Sequence, residues 1–395
     1  MTKSFGVLTG IFGLITAGFF FSPRIQAAEM EHITVYRDET LYLMTPWILK
    51  LRSGELVLTA REAHVRRKEH RGHTDPTARG ILLRSRDGGR TWGEKTVVDD
   101  ETYRFSQTED VPVTQLSDGT LLLNMYSWSV SPLPVGFPSI TQSTMLGLYK
   151  APPTAIYTLE GLSLLRSTDE GRTWSPRQSL QIPGLPPLVA RCPAIELPDG
   201  TLLLSVAAQK SAVVPERGRR TFPFSDWVIR STDRGKTWGD PVLVAEDPEH
   251  DMWFVESGIV RLRSGKIIIM HRTENFLYQS ESVDNGKSWS GPKKTPMWGW
   301  VAHLLELSDG RLLCTYGYRK SPFGVRACIS RDGGKTWDIK NELVLRDDGG
   351  NWDLGYPSSV ELPDGRVLTV YWINHEKEGD PKSETRYIAG TFYRP

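Results

Sequence analysis

Charged and phenolic side chains recur at one fixed position of a segment that is written six times along the chain. Each segment contains a Gly after Asp or Ser, and nine places before that Gly stands Thr45, Asp110, Arg191, Glu256, Val301 or Tyr356. Seven places after the Gly, two segments carry Arg61 and Arg272. Such side chains serve in nucleophilic and acid–base steps and bind anions. If the fold brings these side chains together, they form a candidate functional site. The alternative is that they hydrogen-bond to one another and only fill the central channel of the fold.

The six segments have the pattern of a β-hairpin. Two examples are DVPVTQLSDGTLLL, which starts at Asp110, and YPSSVELPDGRVLT, which starts at Tyr356. Glycine supplies the positive φ that such a turn requires, so each segment predicts two strands joined by a tight turn. The residues after the turn are nearly all apolar, which predicts strands that are covered on both faces.

A second motif, S-x-D-x-G-[RK]-[TS]-W, alternates with the hairpins and is called here the SxDxGxTW motif. Its five copies run from Ser85 to Trp92, Ser167 to Trp174, Ser231 to Trp238, Ser282 to Trp289 and Ser330 to Trp337. The Asp can accept hydrogen bonds from turn amides, and the Gly allows a conformation that a side chain forbids. We expect each motif to fasten an outer hairpin, with its Trp packed into its own blade.

The alternation predicts an all-β fold, a six-bladed β-propeller of four-stranded antiparallel blades over residues 28–395. The sixth blade ends with RYIAGTFY, and the N-terminal HITVY can add its outer strand and close the ring. The start of the first strand and the end of the second lie on the face opposite the SxDxGxTW turns. The six positions described above therefore converge at the mouth of the central channel.

Residues 1–27 have the pattern of a signal peptide. Lys3 precedes an apolar run from Phe5 to Phe21, and IQA ends at Ala27. The run is short for a membrane span, which needs about 20 apolar residues. We expect a secreted or periplasmic protein with no stable membrane insertion after cleavage.

Composition excludes some partners. Lys and Arg number 48 and Asp and Glu 47, so the net charge of +1 argues against a nucleic-acid partner. The three cysteines leave at least one unpaired, and buried free thiols are expected. No CxxC or HExxH spacing indicates a metal site, and no cofactor is expected.

The five SxDxGxTW motifs resemble the Asp-boxes, or BNR repeats, of the sialidase (neuraminidase) superfamily, and the whole mature chain resembles its six-bladed propellers. The resemblance implies a glycan or glycoconjugate substrate and a retaining exo-glycosidase. It also implies a Tyr nucleophile activated by a Glu, an Asp acid/base on a blade-one loop, and three Arg that bind the substrate carboxylate.

Four residues match these roles. Tyr356, in LGYPSSVELPDG, corresponds to the nucleophile, and Glu256, in FVESGIVRL, to its activator. Asp75, in GHTDPTARG, lies in the loop that carries the acid/base, and Arg272, in IIIMHR, matches one carboxylate-binding Arg. A neutral phenol is a poor nucleophile with a pKa near 10, but an adjacent carboxylate can take its proton as it attacks.

The chain departs from the family pattern in blade one. The family's first Arg sits in an R-I-P triplet, where this chain has Met44-Thr45-Pro46. Arg319 and Arg326, in YRKSPFGVRACIS, are candidates for the third Arg, and Arg191 is an additional cation. Arg61 and Asp110 complete the candidate substrate-binding residues at the mouth.

His303 lies two residues past Val301 and is either a sugar contact or acid/base group, or a histidine of the propeller wall. Trp298 and Trp300 either stack on a sugar or pack against a neighbouring blade. We expect a sialidase-like exo-glycosidase that releases a terminal, acidic sugar. The alternatives are a hydrolase or lyase acting on uronate-containing glycans, for which His303 is a candidate, and a non-catalytic glycan-binding propeller.

Overall fold

The structure is a computed structural model that describes residues 1–2, 30–64, 77–99, 106–132, 155–209, 224–249, 252–375 and 385–395. Across these residues the strands form six separate antiparallel sheets, which are the blades of one propeller. The prediction of an all-β, six-bladed propeller is confirmed. Within the same residues, helical structure is confined to the single 3-10 turn Ile339–Asn341.

The first three blades follow one another along the chain. Blade one contains β2 (Leu41–Lys50), β3 (Leu56–His64), β4 (Arg79–Ser85) and β5 (Gly93–Asp99). Blade two contains β6 (Ser106–Thr108), β7 (Val113–Gln115), β8 (Leu121–Pro132), β9 (Ala155–Ser167) and β10 (Gln178–Leu180). Blade three contains β11 (Leu188–Val189), β12 (Ile195–Glu196), β13 (Leu202–Gln209), β14 (Phe224–Ser231) and β15 (Gly239–Ala245). In blades two and three, two short strands share the innermost place.

The last three blades complete the ring. Blade four contains β16 (Val255–Arg261), β17 (Ile267–Arg272), β18 (Phe276–Ser282) and β19 (Lys293–Trp298). Blade five contains β20 (Trp300–Glu306), β21 (Leu312–Tyr318), β22 (Phe323–Ser330) and β23 (Leu343–Gly349). Blade six contains β24 (Gly355–Glu361), β25 (Val367–Asn374), β26 (Arg386–Tyr393) and, as its outer strand, β1 (Glu31–Tyr36).

Both ends of the described fold meet in blade six. The N-terminal strand β1 pairs antiparallel with the C-terminal strand β26, from Glu31 opposite Phe392 to Tyr36 opposite Ile388. The predicted closure of the ring by HITVY is confirmed. The closure gives β26 a partner on each side and so removes an exposed strand edge.

The six predicted hairpin turns share one geometry. The turn Gly has a φ between 78° and 92° in every copy, at Gly54, Gly119, Gly200, Gly265, Gly310 and Gly365. In blade one, the amide of Gly54 donates to Leu51 O at 2.9 Å, and Leu51 N donates to Glu55 O at 2.9 Å. The strand after each turn is largely buried, as predicted, because it lies between two neighbouring blades.

Each SxDxGxTW motif joins the third and fourth strands of its blade through its Asp. In the first copy, Asp87 accepts hydrogen bonds from the amide and hydroxyl of Thr91, at 3.0 and 2.6 Å, and from Ser85 Oγ at 2.8 Å. The same contacts recur at Asp169, Asp233, Asp284 and Asp332. The predicted fastening role of the Asp agrees with these contacts.

The Trp of the motif packs against a neighbouring blade as well as its own, which was not predicted. Its indole packs between its own blade and the preceding one, rather than within its own blade alone. Trp337 of blade five, for example, donates from Nε1 to Gln279 Oε1 of blade four at 2.9 Å. The motifs therefore also join adjacent blades.

The three cysteines are buried and free, as expected. Cys314 and Cys328 face each other on β21 and β22. Residues 3–29, which hold nearly all of the predicted signal peptide, lie outside the described residues. In the part of the chain that the structure describes, no helix has the length and apolar character needed to cross a membrane.

Candidate active site

A local break in the innermost strand brings each mouth residue to the channel. Thr45, Glu256, Val301 and Tyr356 have φ values of 51°, 51°, 49° and 47°, and the strand register shifts around each of them. In blades two and three, Asp110 and Arg191 lie in the gap between the two short inner strands. Such bulges redirect side chains and are frequent next to active sites. Counting nine places back from the hairpin Gly predicted these positions, but it did not predict the bulges.

Three of the candidate residues are in direct contact. Tyr356 Oη donates a hydrogen bond to Glu256 Oε2 at 2.6 Å. Arg272 Nη1 donates to Tyr356 Oη at 2.9 Å and also contacts Glu256 Oε2. All three side chains are largely buried, and they come from β24, β16 and β17. The propeller therefore brings together a phenol, a carboxylate and a guanidinium group from blades four and six.

The environment keeps Tyr356 protonated and Glu256 ionised. Burial raises the pKa of Tyr356 well above 10; the Arg272 charge opposes this shift and the Glu256 charge adds to it. Burial also acts to raise the pKa of Glu256, but the Arg272 charge and hydrogen bonds from Tyr356 and Arg272 hold it below 4.5. Glu256 can thus accept a proton that Tyr356 still carries.

Arg319 adds a second guanidinium group beside Tyr356. Its Nε donates to Leu354 O at 3.0 Å, and its guanidinium carbon lies 5.4 Å from the centre of the Tyr356 ring. Its Nη2 is buried and has no hydrogen-bond partner among the described residues. Burial lowers the pKa of Arg319, although a guanidinium group stays charged at any physiological pH.

Arg191 reaches from blade three to the backbones of blades one and six. Its Nη2 donates to Pro46 O at 3.0 Å and to Tyr356 O at 3.2 Å, and its Nε lies 3.6 Å from Asp110 Oδ1. Only 2% of Arg191 is exposed. Its guanidinium group therefore lies beside Pro46, the last residue of the Met44-Thr45-Pro46 triplet.

A second pair of an arginine and a carboxyl group, Arg61 and Glu109, lies next to the pair of Arg191 and Asp110. Arg61 Nε is 3.6 Å from Glu109 Oε2, and Arg61 is fully buried. Burial raises the pKa of Glu109 to about 8 and that of Asp110 to about 7, against the opposing charges of Arg61 and Arg191 respectively. The mouth thus contains two carboxyl groups that hold protons near neutral pH.

His303 packs edge-on against Trp47, with ring centres 5.0 Å apart. Burial, with a contribution from the Arg191 charge, lowers the pKa of His303 to about 3. The imidazole is therefore neutral and weakly basic at physiological pH.

One candidate, Arg326, is not brought to this cluster. Arg326 lies over the Tyr318 ring at 4.5 Å, contacts Arg346 O, and has its Nε 3.8 Å from Glu342 Oε2. These contacts favour Arg319 over Arg326 as the third arginine. Asp75, the predicted acid/base, lies in residues 65–76, outside the described residues.

The sequence reading missed several residues of the mouth. Trp372 packs on Tyr356 with ring centres 4.5 Å apart, and it stands seven places after its hairpin Gly, as Arg61 and Arg272 do. Counting seven places from the hairpin Gly could therefore have identified Trp372 from the sequence. Trp253 and Trp352 lie over Arg272 and Arg319, and neither occupies a repeated position. Within the described residues, no cluster of His, Cys, Asp and Glu could hold a metal ion.

Comparisons with known proteins agree with the architecture. Residues 84–369 match the family model of the BNR repeat-like domain. A sialidase of Bacteroides fragilis (strain YCH46) is 23% identical over 323 residues, which cover 74% of this chain and 54% of that protein. A sialidase of Clostridium perfringens is 28% identical over 205 residues, which cover 45% of this chain and 52% of that protein. This chain thus spans about half the length of the curated relatives it matches.

A crystal structure of a protein of unknown function from Dyadobacter fermentans DSM 18053 matches almost the whole chain. The TM-score is 0.76 at 28% identity, and the match covers 94% of this chain and 100% of that one. That likeness agrees with the propeller fold of the described residues.

Proposed function

This chain belongs to the family of BNR repeat-like domains, in the superfamily of sialidase-like propellers, and from that premise we propose that it is an exported, retaining exo-glycosidase. Its substrate is a glycan that ends in an acidic sugar. The reaction proceeds through a covalent adduct on Tyr356.

The hydrogen bond of 2.6 Å from Tyr356 Oη to Glu256 Oε2, with Arg272 in contact with both, carries this proposal. A nucleophile bonded to a base, which a third group orients, is the general arrangement of covalent catalysis. A neutral phenol also approaches an anionic sugar without the repulsion that a carboxylate nucleophile would meet. Tyr nucleophiles are a known exception to the two-carboxylate scheme of glycosidases.

In the first half-reaction, Tyr356 Oη attacks the anomeric carbon and the glycosidic bond breaks. Glu256 accepts the phenolic proton along the existing hydrogen bond. Asp75 donates a proton to the leaving oxygen. The high pKa of Tyr356 means that its proton leaves during the attack rather than before it.

In the second half-reaction, water attacks the same carbon from the face that the leaving group vacated. Asp75, now a carboxylate, takes a proton from the water. The bond from the sugar to Tyr356 breaks, and Glu256 returns its proton to the phenolic oxygen. Two inversions give net retention.

Arg272 and Arg319 bind the acidic group of the sugar in this proposal. Both guanidinium groups lie against Tyr356, and two cations at one place match a carboxylate. Arg191 adds positive charge beside Pro46, which belongs to the triplet in which the family has its first Arg.

Two measurements test the proposal. The wild-type protein is assayed against chromogenic sialosides, uronides and neutral glycosides, and we expect turnover of an acidic glycoside. A fluorinated sialosyl fluoride or glycuronosyl fluoride should then trap an adduct that peptide mass spectrometry assigns to Tyr356. An adduct on any other residue contradicts the nucleophile assignment.

A uronate-directed hydrolase is the second candidate, and the observation that favours it is the Met44-Thr45-Pro46 triplet, which lacks the arginine of the family's R-I-P triplet. Cleavage of glucuronides or galacturonides, but not sialosides, would identify it. The lyase variant is less well supported, because a His303 with a pKa of about 3 is a weak base. A glycan-binding propeller without activity would instead bind ligand equally well before and after Tyr356→Phe and turn over nothing in either form.

A further inference from the structure

The two arginines of the proposed anion site share one aromatic side chain, Trp300. The guanidinium carbon of Arg272 lies 4.5 Å from the centre of the Trp300 ring, and that of Arg319 lies 4.9 Å from it. Arg272 comes from β17 of blade four, Trp300 from β20 of blade five, and Arg319 follows β21 of blade five. One indole thus joins the two cations across a blade boundary.

The position of Trp300 affects the electrostatic repulsion between Arg272 and Arg319. Two cations close together repel, and the Arg272 charge contributes, after burial, to the lowered pKa of Arg319. An indole ring presents negative charge on its face, and a guanidinium group within about 6 Å of the ring centre is attracted to it. A ring that both cations contact reduces their repulsion, together with the Glu256 carboxylate, when no substrate is bound.

Trp300 is itself held in place. Its Nε1 donates to Glu274 O at 2.7 Å. The preceding residue, Gly299, packs so closely on Tyr316 that an added Cβ would lie 2.4 Å from Tyr316 Cδ2. The following residue, Val301, is the bulge residue of blade five, with a φ of 49°. The indole therefore has a fixed place at the mouth.

Two further tryptophans extend the contacts outward. Trp253 lies 5.0 Å from Arg272, and Trp352 lies 5.6 Å from Arg319. The order Trp253, Arg272, Trp300, Arg319, Trp352 alternates aromatic and cationic side chains. Trp300 is the member of this series that contacts both arginines.

We infer that Trp300 is the positioning residue of the anion-binding pair, and that it sets the preference for acidic substrates by holding Arg272 and Arg319 at one spacing. This inference rests on the proposed function, because it concerns the same site. Trp300 acts through the arginines, and they contact the acidic group. Its removal should therefore weaken binding of acidic ligands more than it slows the chemical step.

Three variants test this inference. Trp300→Leu removes the ring, and Trp300→Phe keeps an aromatic face. Trp298→Leu is the matched control, because Trp298 lies two residues away and contacts Lys320 at 4.1 Å and Tyr318 at 5.3 Å instead of the two arginines. Each variant is assayed on the acidic glycoside that the wild type cleaves, and crystal structures without ligand record both guanidinium groups.

For Trp300→Leu we expect KM to rise about 10- to 100-fold with a smaller change in kcat, since weakened ground-state binding appears mainly in KM. Trp300→Phe should restore KM to within about threefold, and Trp298→Leu should leave it unchanged. In the crystal structures, the guanidinium groups should move in Trp300→Leu alone.

Equal KM values for Trp300→Leu and Trp298→Leu would overturn the inference while leaving the proposed function intact. If the wild type cleaves no acidic glycoside, the proposed function fails, and the inference about Trp300 is then tested by the crystal structures alone. Guanidinium groups of Arg272 and Arg319 that stay in their wild-type positions in Trp300→Leu would overturn the inference.

Discussion

Tyr356 donates its phenolic hydrogen bond to Glu256 at 2.6 Å, although the two residues are 100 positions apart in the chain. Each lies at a bulge of an innermost strand, with φ values of 47° and 51°. Non-glycine residues with positive φ are uncommon, and strained backbones of this kind cluster at functional sites. The contact therefore depends on two backbone distortions and on the closure of the ring.

Removal of either partner should reduce turnover strongly. Tyr356→Phe deletes the nucleophilic oxygen, and we expect kcat to fall by about 1,000-fold or more. Glu256→Gln keeps the shape but cannot accept the proton, and we expect a loss of about 100- to 10,000-fold. Steady-state kinetics on an acidic glycoside measures both effects, and circular dichroism checks the fold.

The control for Tyr356→Phe is Tyr371→Phe. Tyr371 is also a buried tyrosine of blade six, but its hydroxyl hydrogen-bonds Thr391 at 2.6 Å, away from the mouth. Tyr371→Phe should reduce stability without a comparable loss of kcat. Full activity in Tyr356→Phe would contradict the nucleophile assignment.

Stability should fall as the pH rises through neutrality, because of Glu109. Burial raises its pKa to about 8, and the charges that face it are Arg61, Asp110 and Glu256. A carboxyl group with a folded-state pKa above its unfolded value binds its proton more tightly when folded. The stability it contributes is complete below the unfolded pKa of about 4.3, and is lost as the pH rises toward 8.

Thermal unfolding from about pH 5 to about pH 9 measures this effect. Glu109→Gln, which resembles the protonated form, should flatten the decline, and Glu62→Gln serves as a control carboxylate on β3 that bonds Arg79 at 2.8 Å. A wild-type Tm that rises with pH across this range would be inconsistent with a protonated Glu109.

The repeats made most of the fold predictable. The hairpin Gly and the SxDxGxTW motif mark defined places in every blade, so that counting from them located Glu256, Arg272 and Tyr356 at one mouth. The count also places Trp372, which was overlooked because only charged residues were sought there.

Contacts between blades were less predictable, because their partners are distant in sequence and follow no repeat. Trp300 could be read equally well as a packing residue, and only the structure shows it against Arg272 and Arg319. Arg326 and Arg319 could not be separated by spacing either. The Arg326 side chain stays within blade five, near Glu342, whereas the Arg319 side chain lies against Tyr356 of blade six.

The SxDxGxTW motifs should make the propeller sensitive to acid. The Thr or Ser hydroxyl and amide of each motif hold the pKa of Asp87, Asp233 and Asp284 at about 2. A carboxyl group with a lowered pKa contributes stability above its unfolded pKa of about 3.9, and this is lost as the pH falls toward 2. We expect Asp87→Asn to destabilise the fold by about 0.5–1.5 kcal/mol at neutral pH, since solvent screens the exposed carboxylate, and to weaken the acid dependence. Denaturant unfolding at neutral and acidic pH measures both, with the exposed Asp240→Asn, which lies outside the motif, as control.

A buried network behind the mouth should support the geometry of Glu256 and Arg272. Asp226 of blade three contacts His271 Nδ1 at 2.6 Å and accepts a hydrogen bond from Ser257 Oγ; His271 Nε2 lies 2.9 Å from Ser280 Oγ. Ser257 follows Glu256 and His271 precedes Arg272, so the network fixes the backbone on which both site residues stand.

Asp226→Asn should therefore lower both stability and kcat, because it replaces a charged acceptor in a fully buried site. We expect a loss of about 3 kcal/mol in unfolding free energy. We also expect a fall in kcat of about tenfold at temperatures where the variant is folded. Ser280→Ala removes only the outer contact of His271 and should have a smaller effect on both quantities. Denaturant unfolding and steady-state kinetics separate the two effects, and an Asp226→Asn enzyme with wild-type kcat would show that the network stabilises the blades without positioning the site.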